Sequence, residues 1–421
     1  MSFIVKTGKI LRNNWKKSTF FAIVIAWGGS YTKNHFMTQT LMRTYCEQAA
    51  QYGNQTIPVS VNPRNVTVIL NPNANKRKAQ KEFEKYSAPL LHLAGINVEI
   101  IKTESEGHAK SLIETLNATE AIVVAGGDGT LSEVVTGLLR RTNEQTNGLV
   151  PIGVLPLGKT NYVGSSLFPG ETKLEKVRAL ADATMAIIEE NTMKLDVMKI
   201  EVLNEENKKP VYAVGGMKWG AYRDAETKKD KYWYFGSLRK YATYLFNGLK
   251  SSLTWNCEAN ILYSLPCSGC LNCYRVPSVQ PKSKWFKSFM KEDQDNQMIQ
   301  RIYNPHCNEL LERKISTSDL TLLTTNAIPN RINQDNAPAK LNLLIGPKKV
   351  DYFDFVREGW KSEQGESRSV SELIEARTIE IHPILKKKDV WFSIDNEDFE
   401  MKPVRITLLP KMLTVYCRKN G

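Results

Sequence analysis

The chain has 421 residues, 42% of them hydrophobic and 24% charged, and 57 basic against 44 acidic residues leave a net charge of +13. That length holds two or three ordinary domains, and the composition excludes a collagen-like, a disulfide-dense secreted or a wholly disordered chain. No apolar run reaches the roughly 18 residues of a membrane-spanning helix, which excludes a polytopic membrane protein.

The charge is concentrated at the amino end. Lys6, Lys9, Arg12, Lys16, Lys17, Lys33 and Arg43 all precede the first acid, Glu47, so seven of the thirteen surplus charges fall there. An acid-free basic terminus has the form of a mitochondrial import signal. The apolar stretch Phe20 to Trp27 is short for a bilayer span and suits an interfacial or marginally spanning anchor, with Trp15, Trp27 and Tyr31 at headgroup level. A secretory signal and a buried amino-terminal helix are the competing readings. Residues 1–62 are therefore taken as a basic targeting and membrane-anchoring segment.

From residue 63 strand and helix signals alternate. Val66 to Leu70 is a β-branched apolar run stopped by Asn71-Pro72, the pattern of a buried strand entering a turn. A helix over Ala79 to Ala94, a strand over Val98 to Lys102, a helix over His108 to Leu116 and an apolar strand over Ala121 to Ala125 follow. Leu131, Val134, Val135, Leu138 and Leu139 mark one face of the next helix. A fourth strand over Pro151 to Leu155 and a helix over Leu174 to Ile188 complete a 63–194 unit. Such alternation implies a parallel sheet covered on both faces.

Beyond Leu195 short strands separated by turns predominate, at Val197 to Val202, Val211 to Val214, Ala259 to Leu265, Leu320 to Thr325, Leu341 to Ile345, Thr378 to Ile384, Val390 to Ile394 and Val404 to Leu408. They predict an antiparallel second domain over 195–421, interrupted around 264–310 by a polar insertion. The insertion carries Cys267, Cys270 and Cys273, two overlapping C-x-x-C pairs. Zinc with a fourth ligand from Cys257, Cys307 or His306, a loop disulfide, and free thiols are the three readings.

Three loops at predicted strand ends carry the chemistry. They are Asn71-Pro72-Asn73-Ala74-Asn75-Lys76-Arg77-Lys78, Gly126-Gly127-Asp128-Gly129-Thr130 and Pro156-Leu157-Gly158-Lys159-Thr160-Asn161. In an open α/β sheet all three lie at the carboxyl ends of parallel strands, where such folds bind ligands. Glycines admit close backbone approach and helix N-termini offer donors, so each loop suits phosphate. A carboxylate beside phosphate is repulsive unless it meets Mg²⁺ or a proton, so Asp128 reads as a metal contact or as a base for an attacking hydroxyl. A tight turn with an aspartate cap is the plainer account of the second loop alone. Walker and G-x-G-x-x-G patterns are missing. Basic residues outside the amino terminus are scattered among acids, and no zinc finger, homeodomain or RNP-like motif is present, which argues against nucleic acid.

The run from Val124 to Val135 resembles the signature of the diacylglycerol, sphingosine and ceramide kinase family, and the resemblance extends over nearly the whole chain. It implies an NAD-kinase-like α/β nucleotide-binding domain followed by an antiparallel, β-sandwich-like lipid-binding domain. It also implies ATP and Mg²⁺ as cofactors and an acylglycerol as acceptor, monoacylglycerol and diacylglycerol in preference to sphingoid bases. Asp128 falls on the family's essential aspartate, and Gly126, Gly127, Gly129 and Thr130 fall on its phosphate loop. Asn71, Thr103, Gly158 and Thr160 match nucleotide contacts, and Lys231 and Arg239 match a basic segment reaching the phosphates. Asp224 matches the acid that holds the lipid hydroxyl, while Asp395 and Glu397 match a motif near metal and phosphate, with Mg²⁺ binding or a shared base role implied. The family's Thr-Gly is Lys159-Thr160 here, and Asn396 replaces a glycine; a hairpin turn is the plainer reading of Asp395-Asn396. The resemblance further implies a position at the mitochondrial inner membrane facing the intermembrane space. As an alternative role it implies a kinase-independent subunit of the inner-membrane translocase for carrier proteins.

Overall fold

The computed structural model describes residues 14–55, 63–116, 119–142, 150–170, 172–205, 208–249, 253–267, 270, 304–307, 309–324, 339–364, 366–384 and 390–418. Most of the 264–310 insertion, Cys273 and the first thirteen residues lie outside the described residues.

Helix α1 (Trp15–Gly53) is a single 39-residue helix. Its apolar amino-terminal part is exposed, with Ile25 and Trp27 more than 70% accessible. Its other end docks: Ala49 is fully buried, and Met42, Tyr45 and Cys46 pack against the core of the first domain. The buried-helix reading thus describes one end of α1 only. Among the described residues no helix is long and apolar enough to cross a membrane.

Strands β1 (Asn65–Leu70), β2 (Asn97–Lys102), β3 (Ala121–Gly126) and β4 (Ile152–Pro156) pair in parallel in the order β2-β1-β3-β4. β1 and β3 are buried almost end to end because helices cover both faces, so their sequences read as continuous apolar runs. The helical run α2 comprises Ala79–Glu82, a π turn at Phe83–Ser87 and Ala88–Leu93. Pro89, which lacks an N–H, falls where the wider turn ends. Then come α3 (His108–Thr115), α4 (Asp128–Thr142), α5 (Tyr162–Leu167) and α6 (Lys173–Glu189), the last opened by a capping box between Thr172 and Glu175.

The second half supplies β5 (Thr192–Val202), β6 (Val211–Ala213), β7 (Met217–Gly220), β8 (Cys257–Ser264), β9 (Leu311–Thr317), β10 (Asp319–Thr324), β11 (Leu341–Ile345), β12 (Glu372–Ala376), β13 (Thr378–Pro383), β14 (Trp391–Ile394), β15 (Glu397–Glu400) and β16 (Val404–Tyr416). One antiparallel sheet runs β12-β11-β10-β7-β14-β15, and the other strands extend the parallel sheet through β16, whose Val415 pairs in parallel with Ile152. Ile261, Ile379, Ile381 and Ile406 from the large sheet meet Trp219, Leu320, Leu322, Leu343 and Phe392 from the small one in a single apolar cluster. That cluster is the core of a sandwich, as expected. Sequence reading missed the helical lobe at its side: α7 (Ala221–Thr227), a 3₁₀ run (Lys228–Leu238), α8 (Arg239–Asn247) and α9 (Tyr352–Glu363), which bury Tyr222, Tyr244 and Phe355 together. The turn between β14 and β15 places Asp395 at φ 48° and Asn396 at φ 66°, the paired left-handed geometry of a tight hairpin, which Asn tolerates.

Candidate active site

Because β1, β3 and β4 are adjacent and parallel, their carboxyl ends bring the three loops together. The Asn71 side-chain amide donates to the Thr130 hydroxyl at 3.1 Å, joining the first loop to the second. The Asp128 N–H donates to the Thr160 carbonyl at 3.1 Å, joining the second to the third. The second and third loops cross at Gly127 and Gly158, where a Cβ on Gly158 would collide with the Gly127 backbone. Neither position has room for a side chain. In the first loop Asn75, Lys76 and Arg77 all have positive φ, between 50° and 65°. Three consecutive non-glycine residues in that region are strained, a condition that clusters at ligand clamps.

Together the loops line an open cleft of about 400 Å³. It takes in Asn71, Lys76, Thr103, Gly127, Asp128, Gly129, Thr130, Gly158 and Thr160, all but Lys76 expected nucleotide-site or catalytic residues. Glu397 enters from β15, with its carboxylate over Gly129. Gly126, buried at the end of β3, leaves no room for a side chain beside that of Thr130. A second, much smaller cavity of about 30 Å³ lies on the other side of Asp128. It is lined by Tyr162, Gly215, Gly216, Lys218, Leu323, Ser393, Asp395 and Asn396. Of the residues lining the two, Asp128 alone lines both.

Asp128 is 4% exposed. Burial raises its carboxyl above the ordinary range, opposed by donors from the Tyr162 and Val163 backbone, the Asn396 amide (3.0 Å) and the Thr160 hydroxyl. Burial also pushes Asp395 up to about 7, with Asp128 adding to the effect. Three backbone N–H groups oppose it: Val214 donates to Oδ2 at 3.0 Å, and Gly215 and Gly216 donate to Oδ1 at 2.8 and 2.9 Å. Glu397 reaches about 7, through burial first and then its acidic neighbours Glu133, Glu106 and Asp395. In the open cleft Glu397 offers a carboxylate to a hard divalent cation such as Mg²⁺. Asp395 does not fit that role: its oxygens are engaged by backbone donors and it lines only the small cavity.

Three further expected residues lie outside both cavities. Asp224 was to hold the acceptor hydroxyl, yet its Oδ1 accepts from Arg223 at 3.0 Å and its Oδ2 from the Thr254 N–H at 2.8 Å, and it lines neither cavity. Lys231 is exposed on the 3₁₀ run, outside the cleft. Arg239 is also outside; it pairs with Asp230 at 3.4 Å, and Asp230 in turn grips Lys159 of the third loop. Lys159, where the family has a small residue, thus has its own partner, and its ammonium holds the Asp230 carboxyl below the usual carboxylate range. Sequence reasoning missed Lys218, which lines the small cavity and whose ammonium pairs with Glu226 at 3.0 Å. Glu133 went unnoticed too: it accepts from the Gly107 and Ala109 N–H groups at 2.8 and 3.0 Å and braces the amino end of α3. For Lys218 the available sequence signal is the neighbouring Gly215-Gly216 pair, which marks a crowded turn.

Residues 65–200 match the diacylglycerol kinase catalytic domain, and residues 214–421 match the acylglycerol kinase C-terminal domain. Human mitochondrial acylglycerol kinase is 37% identical over 97% of this chain and 96% of its own length, and the Xenopus laevis protein of the same name is 34% identical over 99% and 96%. Sphingosine kinase 1 of Arabidopsis thaliana is 31% identical over 50% of the chain and 42% of its own. A putative diacylglycerol kinase from Bacillus anthracis str. Sterne shares the fold, with TM-score 0.51 at 16% identity over 85% of this chain and 99% of its own. The fold, the crest of three phosphate-type loops and these matches define a lipid kinase. Within that class the chain belongs to the acylglycerol kinase family.

Proposed function

We propose that the protein transfers the γ-phosphoryl group of ATP to the free hydroxyl of monoacylglycerol and diacylglycerol, forming lysophosphatidic and phosphatidic acid. The observation that carries this reading is the position of Asp128 between the two cavities. The open cleft on one side suits the nucleotide phosphates; the small cavity on the other suits an acceptor hydroxyl, which Asp128 orients and deprotonates as it attacks. Lys218 holds positive charge beside the small cavity, and Lys76 does so in the cleft. Glu397 is the proposed Mg²⁺ ligand; the ion supplies charge neutralisation on the phosphates when bound. Labelled ATP offered with monoacylglycerol, diacylglycerol, sphingosine and ceramide in mixed micelles tests the assignment. Label should enter the two acylglycerols at least about tenfold faster than the sphingoid lipids; the reverse order would overturn it.

The acceptor resides in a membrane, and the 3₁₀ run offers a surface that meets one. Trp233 and Leu238 are 71% and 60% exposed, next to Lys231, and Asp230 ties this run to the third loop. Aromatic residues beside cations suit a membrane interface. The double substitution Trp233→Ser, Leu238→Ser should raise KM for vesicle-borne acylglycerol about tenfold. With a short-chain soluble acceptor kcat should be unchanged, which separates docking from chemistry.

We further propose a position at the mitochondrial inner membrane facing the intermembrane space. The acid-free basic terminus and the mitochondrial names of the relatives support it. The exposed apolar part of α1 also favours a second role, kinase-independent assembly with subunits of the carrier-protein translocase.

A further inference from the structure

We propose that Cys267, Cys270 and Cys307 form a structural zinc site that fastens the root of the 264–310 insertion. Cys267 and Cys270 follow β8, and Cys307 precedes β9; these strands are antiparallel neighbours, with Tyr263 opposite Leu311. The three sulfurs stand where the chain leaves the sheet and where it returns. They lie within 4.8 Å of one another, and Cys270 and Cys307 are buried. No disulfide joins any two of the three.

Three converging sulfurs exceed what one disulfide can use, whereas a borderline-soft cation accepts them all. Tetrahedral zinc with Zn–S of about 2.3 Å sets sulfurs roughly 3.8 Å apart, a contraction of about 1 Å at most from the observed spread. A fourth corner takes water or a further donor. Two polar side chains already point at the sulfurs: the Asn304 amide donates to Cys267 at 3.5 Å, and an Arg377 guanidinium N–H donates to Cys307 at 3.6 Å. Donors of this kind stabilise thiolate negative charge around a metal. Arg377 also anchors the site to the sheet, its backbone N–H donating to the Ser264 carbonyl at 2.9 Å. His306 is no ligand, being exposed with its ring on Glu309 at 2.7 Å, and Cys257 sits at the opposite end of β8. Zinc would close a long loop at its neck, where cross-links gain most by restricting the unfolded chain.

The test uses the full-length protein purified in detergent without chelators. Elemental analysis should find one zinc per chain, and cobalt exchange should give a sulfur-to-metal charge-transfer band with tetrahedral d–d absorption. Cys270→Ser and Cys307→Ser should each lose the metal and the bands, while Cys46→Ser and Cys417→Ser should keep both. Should the serine variants misfold, alkylation of the wild type decides: these cysteines should be protected until a chelator is added. Absence of zinc from the wild type, zinc retained in both serine variants, or a Cys267–Cys270 disulfide in the purified chain would overturn the proposal.

Discussion

Replacing Asp128 by Asn should lower lipid phosphorylation by about 10² to 10⁴, the usual contribution of a positioned general base. The substitution keeps size and shape. It leaves the Asp128 backbone N–H bond to Thr160 in place, so the crossing of the second and third loops survives. One oxygen remains to accept from the amino end of α5, while the other becomes an amide facing the Asn396 donor. Nucleotide affinity should therefore change by less than about tenfold and the thermal transition by only a few degrees, because the loss falls on proton transfer. Single-turnover measurement with saturating ATP separates these effects: a wild-type rate in Asp128→Asn would remove the base assignment. The same variant divides the two proposed roles, since assembly with translocase subunits should persist when the kinase is silent. Joint loss of both in a folded variant would show that they are not separable.

How much of this was legible in the sequence depends on where each residue sits. β1, β3 and β4 announced themselves because burial on both faces demands unbroken apolar runs, and their carboxyl ends located all three loops. The four-residue β7 carries Lys218 but is too short to show a period. β9 and β15 are sheet-edge strands with exposed, charged residues, and an edge needs no apolar alternation. The helical lobe escaped because its apolar face is made of large aromatics in short pieces, with a 3₁₀ stretch whose repeat differs from 3.6. Asp128, Glu397, Gly127 and Gly129 were found by motif and line the cleft. Asp224 was found the same way, yet its carboxylate serves Arg223 and Thr254. A motif fixes position in the chain; partner atoms decide what the side chain does there.

Asp395 makes the same point quantitatively, and Asp395→Asn tests it. The carboxylate accepts three backbone N–H groups, two on Oδ1 and one on Oδ2. An amide keeps the first two but turns an NH₂ toward the Val214 N–H, leaving a buried donor unpaired at a cost of about 1–3 kcal/mol. The sign of the pH dependence follows from its carboxyl, which stands at about 7, above the ordinary 3.8. A raised acid favours the folded chain when protonated, so its stabilising contribution is complete below 3.8 and is lost as pH rises through about 7. Asn does not titrate, so the deficit of the variant should be smallest above pH 7 and widen as pH falls toward 4. Urea unfolding of both proteins at several pH values reads this difference, in which the shared titrations of other groups largely cancel. Activity supplies the second readout. Asp128 helps to raise the Asp395 carboxyl to about 7, so Asp395 is still protonated and uncharged while Asp128 ionises, and Asp395→Asn should leave the acid limb of kcat/KM in place. A limb that moves or vanishes with the substitution would mean that Asp395, and not Asp128, is the group whose ionisation controls turnover.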